Sequence, residues 1–504
     1  MVSTKSIFGF IVTPIVILYL LLFVELDPSR PAITYTFCIA LVMAVWWITE
    51  VVPLAITSLL PVALFPLFGI MDGKVVAATY FNDVIFLFMG GFFVALAMQR
   101  WNLHRRIALH ILSLTGISPA RILFGFMLSS SFLSMWISNT ATAMMMLPIA
   151  LSVIQQLEEL VAEKGISRYG TGLLLGIAYS ASIGGMATLV GTPPNLSFSR
   201  IFHIYFPSGP EISFSAWMMF ALPFSVLMFA VVWIYLYVLF GPRRHEWVRL
   251  ERNIFSKQIK EMGQMRQEEM VVFVIFIVLA FLWLFRTDLD FGLFAIPGWS
   301  GIFPESTFIN DGSVAILMAI ILFIIPSASV PGSRLMNWET AKKLPWNILL
   351  LFGGGFALAS GFKESGLSLW FGEQLRWISS YHLFLVILFI ALIMTFLTEL
   401  TSNTATTEII LPILAGIAIT IEINPLLLMV PATLSASMAF MMPVATPPNA
   451  IIFGTGRIKV LQMARTGLIL NLLGALLIAG MMYLWGTYIF DINLFEFPEW
   501  AVID

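Results

Sequence analysis

Charge is scarce in this chain. Only 11% of its 504 residues are Asp, Glu, Lys or Arg, against about 25% in a soluble domain. Cysteine is scarcer still: Cys38 stands alone, which excludes an internal disulfide and leaves the redox compartment open. Basic residues are not in excess either. The net charge of −2 argues against a nucleic-acid partner. No HExxH motif occurs, and the five histidines, His104, His110, His203, His245 and His382, mostly flank apolar segments. An intramembrane enzyme would carry such a motif or a nucleophile–base pair inside a span, so the chain reads as no enzyme. A channel would want a continuous polar lining, whereas polarity is concentrated here in four short breaks.

What remains is apolar. Apolar residues make up 59% of the chain, and mean hydropathy is +0.95. Runs of roughly 20 apolar residues recur from end to end, the signature of an all-α polytopic membrane protein. Residues 9–26 lack a basic flank beyond Lys5 and a small-residue cleavage site, so they read as a first spanning helix rather than a leader. Eleven crossings are expected, at 9–26, 33–50, 52–70, 84–100, 171–206, 214–240, 268–286, 312–326, 346–362, 426–455 and 466–490. Two segments fit no single crossing. Residues 121–157 and 382–420 are too long for one span and too short for two with a turn. Each half of either segment is about 17 residues, or roughly 25 Å of helix. Each segment carries SNTAT near its middle, at 138–142 and 402–406. Both are expected to be re-entrant helical hairpins, entering and leaving on one face, with their non-helical tips covered by protein or lining a water-filled cavity.

Charge distribution supports that topology. With two hairpins and eleven crossings, only Arg30, Lys74, Arg200, Arg286, Lys363 and Arg376 of the 26 Lys+Arg fall opposite the N-terminal side. The positive-inside rule then puts the N-terminus in the cytoplasm and the acidic tail 491–504 outside the cell. Full crossing by 121–157 would place its basic flanks on opposite faces.

The second SNTAT lies 264 positions after the first. Gly90-Gly91-Phe92 recurs at Gly354-Gly355-Phe356 and Leu147-Pro148 at Leu411-Pro412, both with that offset. Behind each hairpin follows a second shared motif, Gly191-Thr192-Pro193-Pro194-Asn195 and Ala445-Thr446-Pro447-Pro448-Asn449. Corresponding crossings differ by five, an odd number, so the repeats are inverted. Secondary transporters use this plan, with the site at the repeat interface near mid-membrane. The expected divisions are an N-terminal helix (1–32), repeat 1 (33–240, with hairpin 121–157 and broken helix 171–206), a cytoplasmic linker (241–267) and the remainder of repeat 2. That last part covers 268–490, or begins at 214, and holds hairpin 382–420 and broken helix 426–455.

A hairpin tip offers unpaired carbonyls from the half-helix that ends there and unpaired N–H groups from the one that begins. The first suit a cation and the second an anion. Ser and Thr hydroxyls serve either, and an Asn amide donates to a carboxylate. Two inverted tips therefore supply two anion half-sites, matching a dicarboxylate. The Pro-Pro pairs free further carbonyls near Gly191 and Ala445, and Asn195 and Asn449 are expected to cap the resumed helices. Taken singly, Ser-Asn-Thr reads as interhelical glue and Pro-Pro as a kink; the paired, inverted occurrence favours a site. Gly90-Gly91 and Gly353-Gly354-Gly355 read as close packing, and Trp46 and Trp47 as an interfacial belt. The basic run 243–266 reads as a solvated linker with an amphipathic helix on the membrane surface. Glu50, at a helix end, is structural. No Lys or Arg lies within 15 residues of either SNTAT. A dianion there needs bound cations for neutralisation. Glu408 complicates this, since a charged carboxylate one turn past Thr404 would repel the substrate. It reads as a hydrogen-bonded buried acid, or as a proton or cation handle; its counterpart is Met144.

These motifs, together with WWITEVVPLAITSLLP at 46–61, make the chain resemble the divalent-anion:sodium symporter family and its INDY-type bacterial dicarboxylate transporters, over nearly its whole length. The resemblance implies a homodimer in the inner (cytoplasmic) membrane. Each protomer would hold a scaffold domain and a transport domain that moves as an elevator. It implies Na⁺ as the co-transported ion, at two sites: Ser134, Ser138, Asn139 and Gly191, and Thr398, Ser402, Asn403 and Ala445. Substrate carboxylates would meet Asn139, Thr140, Asn403 and Thr404, with Thr192 and Thr446 nearby. The family also contains sulfate carriers, citrate carriers and sodium-independent exchangers. The presence of both motif threonines resembles the dicarboxylate branch.

Overall fold

The computed structural model describes residues 8–160, 164–242, 254–290, 295–494 and 496–502. Lys5, residues 243–253 of the basic linker and Asp504 of the tail lie outside them. The described chain is almost entirely helical. Its one sheet among these residues is a two-residue hairpin, β1 (Leu289–Asp290) against β2 (Ala295–Ile296), with Leu289 opposite Ile296. Among the described residues, seven helices are long and apolar enough to cross a membrane, and shorter apolar helices accompany them.

The helices used below are α1 (Thr13–Phe23), α2 (Pro31–Thr49), α3 (Asp83–Arg100), α4 (Leu103–Thr115), α5 (Pro119–Ser134), α6 (Asn139–Leu160), α7 (Lys164–Met186), α8 (Pro193–Tyr205) and α9 (Phe214–Phe240). They continue with α10 (Ile254–Glu261), α11 (Gln267–Leu284), α12 (Asp311–Ile324), α13 (Trp346–Ser365), α14 (Leu367–Gln374), α15 (Leu383–Thr398), α16 (Asn403–Thr420), α17 (Leu426–Ala436), α18 (Pro447–Phe453) and α19 (Val460–Met481). Residues 121–157 and 382–420 form helix pairs, α5–α6 and α15–α16, each interrupted at SNTAT. Both broken helices are present as α7–α8 and α17–α18, each resuming at the Pro-Pro pair. Proline at the first two helical positions fits this resumption, because those N–H groups have no intrahelical partner to lose.

Two expectations change. Residues 52–70 do not form one helix: Leu54–Thr57 and Leu60–Leu67 are separate short helices. The break is held from outside. Tyr80 Oη donates to the Ser58 carbonyl at 2.5 Å, and Trp47 Nε1 donates to Ser58 Oγ at 3.2 Å. Trp47 is therefore no belt residue. It is 1% exposed and packs in the core, whereas Trp46 is half-buried and bonds the Gly9 carbonyl.

Packing divides by partner. α3 lies along α12, and α11 packs on both. Gly90 permits the α3–α12 approach, since a Cβ there would sit 2.5 Å from the Ala315 carbonyl carbon. Gly354 likewise faces Ser58 backbone, so both glycine motifs serve close packing. Glu50 ends α2 in the left-handed conformation, φ 51°, a structural position. The exterior carries exposed Leu22, Phe23, Val238 and Leu484, the apolar surface a lipid-facing wall requires.

Candidate functional site

The first tip is built by Ser134 at the end of α5 and Asn139 at the start of α6. Ser134 Oγ bonds Asn139 Oδ1. Ser138 caps α6: its hydroxyl accepts from Ala141 N at 3.2 Å and its carbonyl from Thr142 N at 3.0 Å. The second tip repeats the hydroxyl–asparagine pair and the backbone bond 264 residues on, without a side-chain cap from Ser402. Thr398 Oγ1 bonds Asn403 Oδ1 at 2.5 Å and also reaches the Ala436 carbonyl at 2.9 Å, while the Ser402 carbonyl accepts from Thr406 N at 2.9 Å. Both asparagine oxygens therefore face a hydroxyl and a helix end. The first N–H groups of α6 and α16 are left without intrahelical acceptors. Asn139, Thr140 and Asn403 are half-buried, and Thr404 is buried.

Behind each tip lies an unwound stretch, residues 187–192 and 437–446. Thr192 and Thr446 are extended N-cap residues (φ −146° and −138°), and both are buried. Asn195 and Asn449 do not cap the resumed helices as expected; Thr446 Oγ1 takes the Asn449 N–H instead. Their amides reach back across the break. Asn195 Nδ2 donates to the Gly185, Met186 and Thr188 carbonyls, the last at 2.7 Å. Asn449 Nδ2 donates to the Ala439 and Met442 carbonyls at 2.9 and 3.1 Å. Gly185 and Thr188 correspond to Ala439 and Met442 by the 254-residue offset, so each repeat closes its break with the same staple. The reason is an accounting one: carbonyls left free where the helix unwinds need donors. Trp217 Nε1 takes the Met186 carbonyl as well, at 3.0 Å.

The repeats interlock. α6 of the first hairpin packs on α18 of the second repeat, and α16 of the second hairpin packs on α8 of the first. Asn139 lies against Gly185, where a Cβ would come within 2.6 Å of its Oδ1. Tyr179 Oη on α7 donates to the Phe440 carbonyl in the second break at 2.8 Å. Ser134, Ser138 and Asn139 share the first tip, with Gly191 on the break against Gly185, and Thr398, Ser402 and Asn403 share the second, with Ala445 on its break. All are neutral oxygen donors or backbone, a set suited to an alkali cation.

Two acids depart from the symmetry. Glu399, where the first repeat has Met135, is buried at 3% exposure. Its Oε1 accepts from Met441 N at 2.8 Å and Asn471 Nδ2 at 2.7 Å, and its Oε2 from Met442 N at 2.8 Å. It ties the second tip to its break. In the first repeat Thr188 Oγ1 does this work by donating to the Met135 carbonyl at 2.5 Å. The sequence held the signal, an acid in an otherwise uncharged tip, but not its partners. Glu408 is wholly buried on α16. Its Oε1 bonds Ser197 Oγ on α8, and its Oε2 lies against Gly355 on α13. This is the hydrogen-bonded buried acid that the spacing allowed; its counterpart Met144 is 60% exposed.

Comparison with known proteins fits this geometry. Residues 5–492 match the family described as the sodium:sulfate symporter transmembrane region. The chain belongs to that family. It is a transporter, and no enzyme. Over 489 residues it is 42% identical to the sodium-dependent dicarboxylate transporter SdcS of Staphylococcus saprophyticus, covering 95% of this chain and 91% of that protein. SdcS of Staphylococcus aureus strain MRSA252 matches with the same identity and coverage. Among solved structures, the YdaH transporter of Alcanivorax borkumensis aligns with TM-score 0.54 and 15% identity, over 83% of this chain and 88% of that one. MtrF of Neisseria gonorrhoeae aligns with TM-score 0.53 and 12% identity, over 82% and 84%. At such identities these two matches speak for the fold alone.

Proposed function

We propose that this chain is a sodium-coupled carrier of C4-type dicarboxylates, such as succinate, fumarate and malate, across the cytoplasmic membrane. One observation carries the reading: two tips built alike, each pairing a hydroxyl-bonded asparagine with the N-terminus of a half-helix, in sequence stretches without Lys or Arg. The relatives' names agree with it. Asn139 and Thr140 would hold one carboxylate and Asn403 and Thr404 the other, with Thr192 and Thr446 flanking them. Amide donors and helix N-termini supply direction and partial positive charge. Sodium ions at Ser134, Ser138, Asn139 and Gly191, and at Thr398, Ser402, Asn403 and Ala445, would supply the full charges. Two such ions cancel a dianion, and any further ion makes the cycle electrogenic.

The two hairpins and the two broken helices would move together as the transport domain against α3, α11, α12 and α13, in a homodimer whose N-terminus faces the cytoplasm. Uptake of labelled succinate into proteoliposomes tests the coupling. Uptake driven by an inward Na⁺ gradient and abolished by choline replacement is the expected result. Na⁺-indifferent uptake that requires internal dicarboxylate would instead identify an exchanger. Displacement of succinate by sulfate or citrate at equal concentration would identify the sulfate or citrate branch.

A further inference from the structure

Four helix ends meet at one corner of the protein. α3 ends at Arg100, and α4 begins at Leu103 after a turn in which Asn102 takes φ 59°. α10 ends at Glu261, and α11 begins at Gln267 beyond Arg266. Between them lies a cavity of about 430 Å³ whose charged lining is Arg100, Arg105, Arg106, Arg266, Glu261 and Glu269. Four positive charges face two negative ones.

The four arginines are not equivalent. Arg106 is satisfied: its Nε bonds Glu269 Oε1 at 2.6 Å, and its Nη1 donates to the Gly263 carbonyl at 3.1 Å. Arg100 donates Nη2 to Ser333 Oγ at 3.0 Å and lies 5.2 Å above the Trp101 ring, but its Nη1 is buried without an acceptor among the described residues. Arg105 and Arg266 are exposed and form no ion pair among those residues. A buried guanidinium nitrogen without an acceptor costs free energy, and two further free forks converge on the same space. The corner is built for an anion that brings several oxygens. Arginine forks match phosphate bidentately, which a lysine cluster would not do.

Position narrows the source. α3 and α11 both belong to helices long and apolar enough to cross the membrane, and the end of one meets the start of the other here. The cavity therefore sits at the level of lipid headgroups, on the face that carries most of the basic residues. α4 runs from this corner with Leu103, Leu109 and Leu112 buried and Leu114 85% exposed. Basic pockets between spanning helices at such a boundary suit anionic headgroups. We propose that this corner is a binding site for a phosphate group, supplied by the headgroup of an anionic phospholipid.

A phosphate here would join the surface helices that support the first hairpin. Ser129 Oγ on α5 donates to the Ala108 carbonyl on α4 at 3.3 Å, and the Phe126 ring on α5 meets Phe255 on α10 with centroids 6.1 Å apart. Occupancy would brace α4 and α10 against α5, and so regulate the hairpin proposed above to carry substrate. The site itself stands apart from that assignment.

The test uses the full-length protein purified in neutral detergent and supplemented with phosphatidylglycerol, phosphatidylcholine or inorganic phosphate. Thermal unfolding and native mass spectrometry read binding without transport, so a failure here leaves the dicarboxylate reading untouched. Phosphatidylglycerol is expected to raise the unfolding midpoint and remain bound, with phosphatidylcholine inert. Arg105→Gln with Arg266→Gln removes two exposed charges and no internal bond, and should weaken the lipid by about thirtyfold. Arg105→Glu alone repeats the test should the double variant lose its fold. Inorganic phosphate that reproduces the shift, with the same arginine dependence, would keep the phosphate site and assign it to a free anion. Equal responses of wild type and both variants to every probe would overturn the proposal.

Discussion

Replacing Glu399 by glutamine is the sharpest perturbation the structure suggests. The carboxylate takes two backbone N–H groups, from Met441 and Met442, and the Asn471 amide, all at 2.7–2.8 Å and out of solvent. Glu399→Gln retains one acceptor oxygen, which keeps one backbone bond. The new NH₂ can meet the Asn471 Oδ1, now without a partner, once that amide turns over. One backbone N–H still loses its charged acceptor, and such bonds contribute about 1.5–3 kcal/mol each. Glu399→Ala strands all three donors, at about 1–3 kcal/mol apiece. The lost bond, from Met441 N, adjoins Met442, whose carbonyl accepts from Ala445 N at 3.2 Å. The distortion should therefore appear in the second of the proposed sodium sites. If all of it were expressed there, Na⁺ affinity would fall between about tenfold and 150-fold, an upper bound. The assay is Na⁺ activation of succinate uptake in proteoliposomes, with the thermal midpoint measured alongside. The expected pattern is weaker Na⁺ activation and a lower midpoint, with Glu399→Ala worse than Glu399→Gln. Wild-type Na⁺ activation and an unmoved midpoint in Glu399→Gln would refute the clamp.

The paired staples predict paired failures: Asn195→Asp and Asn449→Asp each replace a donor with a carboxylate oxygen aimed at carbonyls, cost roughly 2–4 kcal/mol, and should abolish uptake while lowering the midpoint. Gly90→Ala drives a methyl into Ala315 and should cost about 1–3 kcal/mol by overpacking, whereas Gly480→Ala, with nothing within 4 Å, should leave the midpoint in place. Glu408→Gln keeps the volume and the Ser197 bond, so the protein should fold with an unchanged midpoint. Glu408→Lys would set a long cation against Gly355 and should prevent folding, read by gel filtration of the detergent-solubilised protein. If Glu408 only packs, uptake by Glu408→Gln should keep the wild-type dependence on pH and Na⁺, and a change in either would mark the acid as an ion handle.

The hairpins and breaks were legible because they are written locally. Ser-Asn-Thr and Thr-Pro-Pro-Asn dictate where a helix must stop and restart, and the repeat offset marks them as a pair. Asn139 and Asn403 duly begin helices, and Thr192 and Thr446 duly precede them. The partners were not legible, since they come from distant segments. Capping was the local use for Asn195 and Asn449; the carbonyls they bind lie 7–10 residues upstream across a turn that the motif does not describe. The partners of Glu399 are 42 to 72 residues away. The break at Ser58 needs Tyr80 and Trp47, neither of which a hydropathy run reveals.

The bond between Ser197 and Glu408 joins positions 211 residues apart. At the usual 5–20 residues per second of synthesis, α8 waits about 10–40 s in the bilayer before the helix that covers it exists. Throughout that interval its Ser197 hydroxyl lacks its eventual partner. A nascent chain halted between the two segments thus exposes the face of α8 that the second hairpin covers in the finished protein.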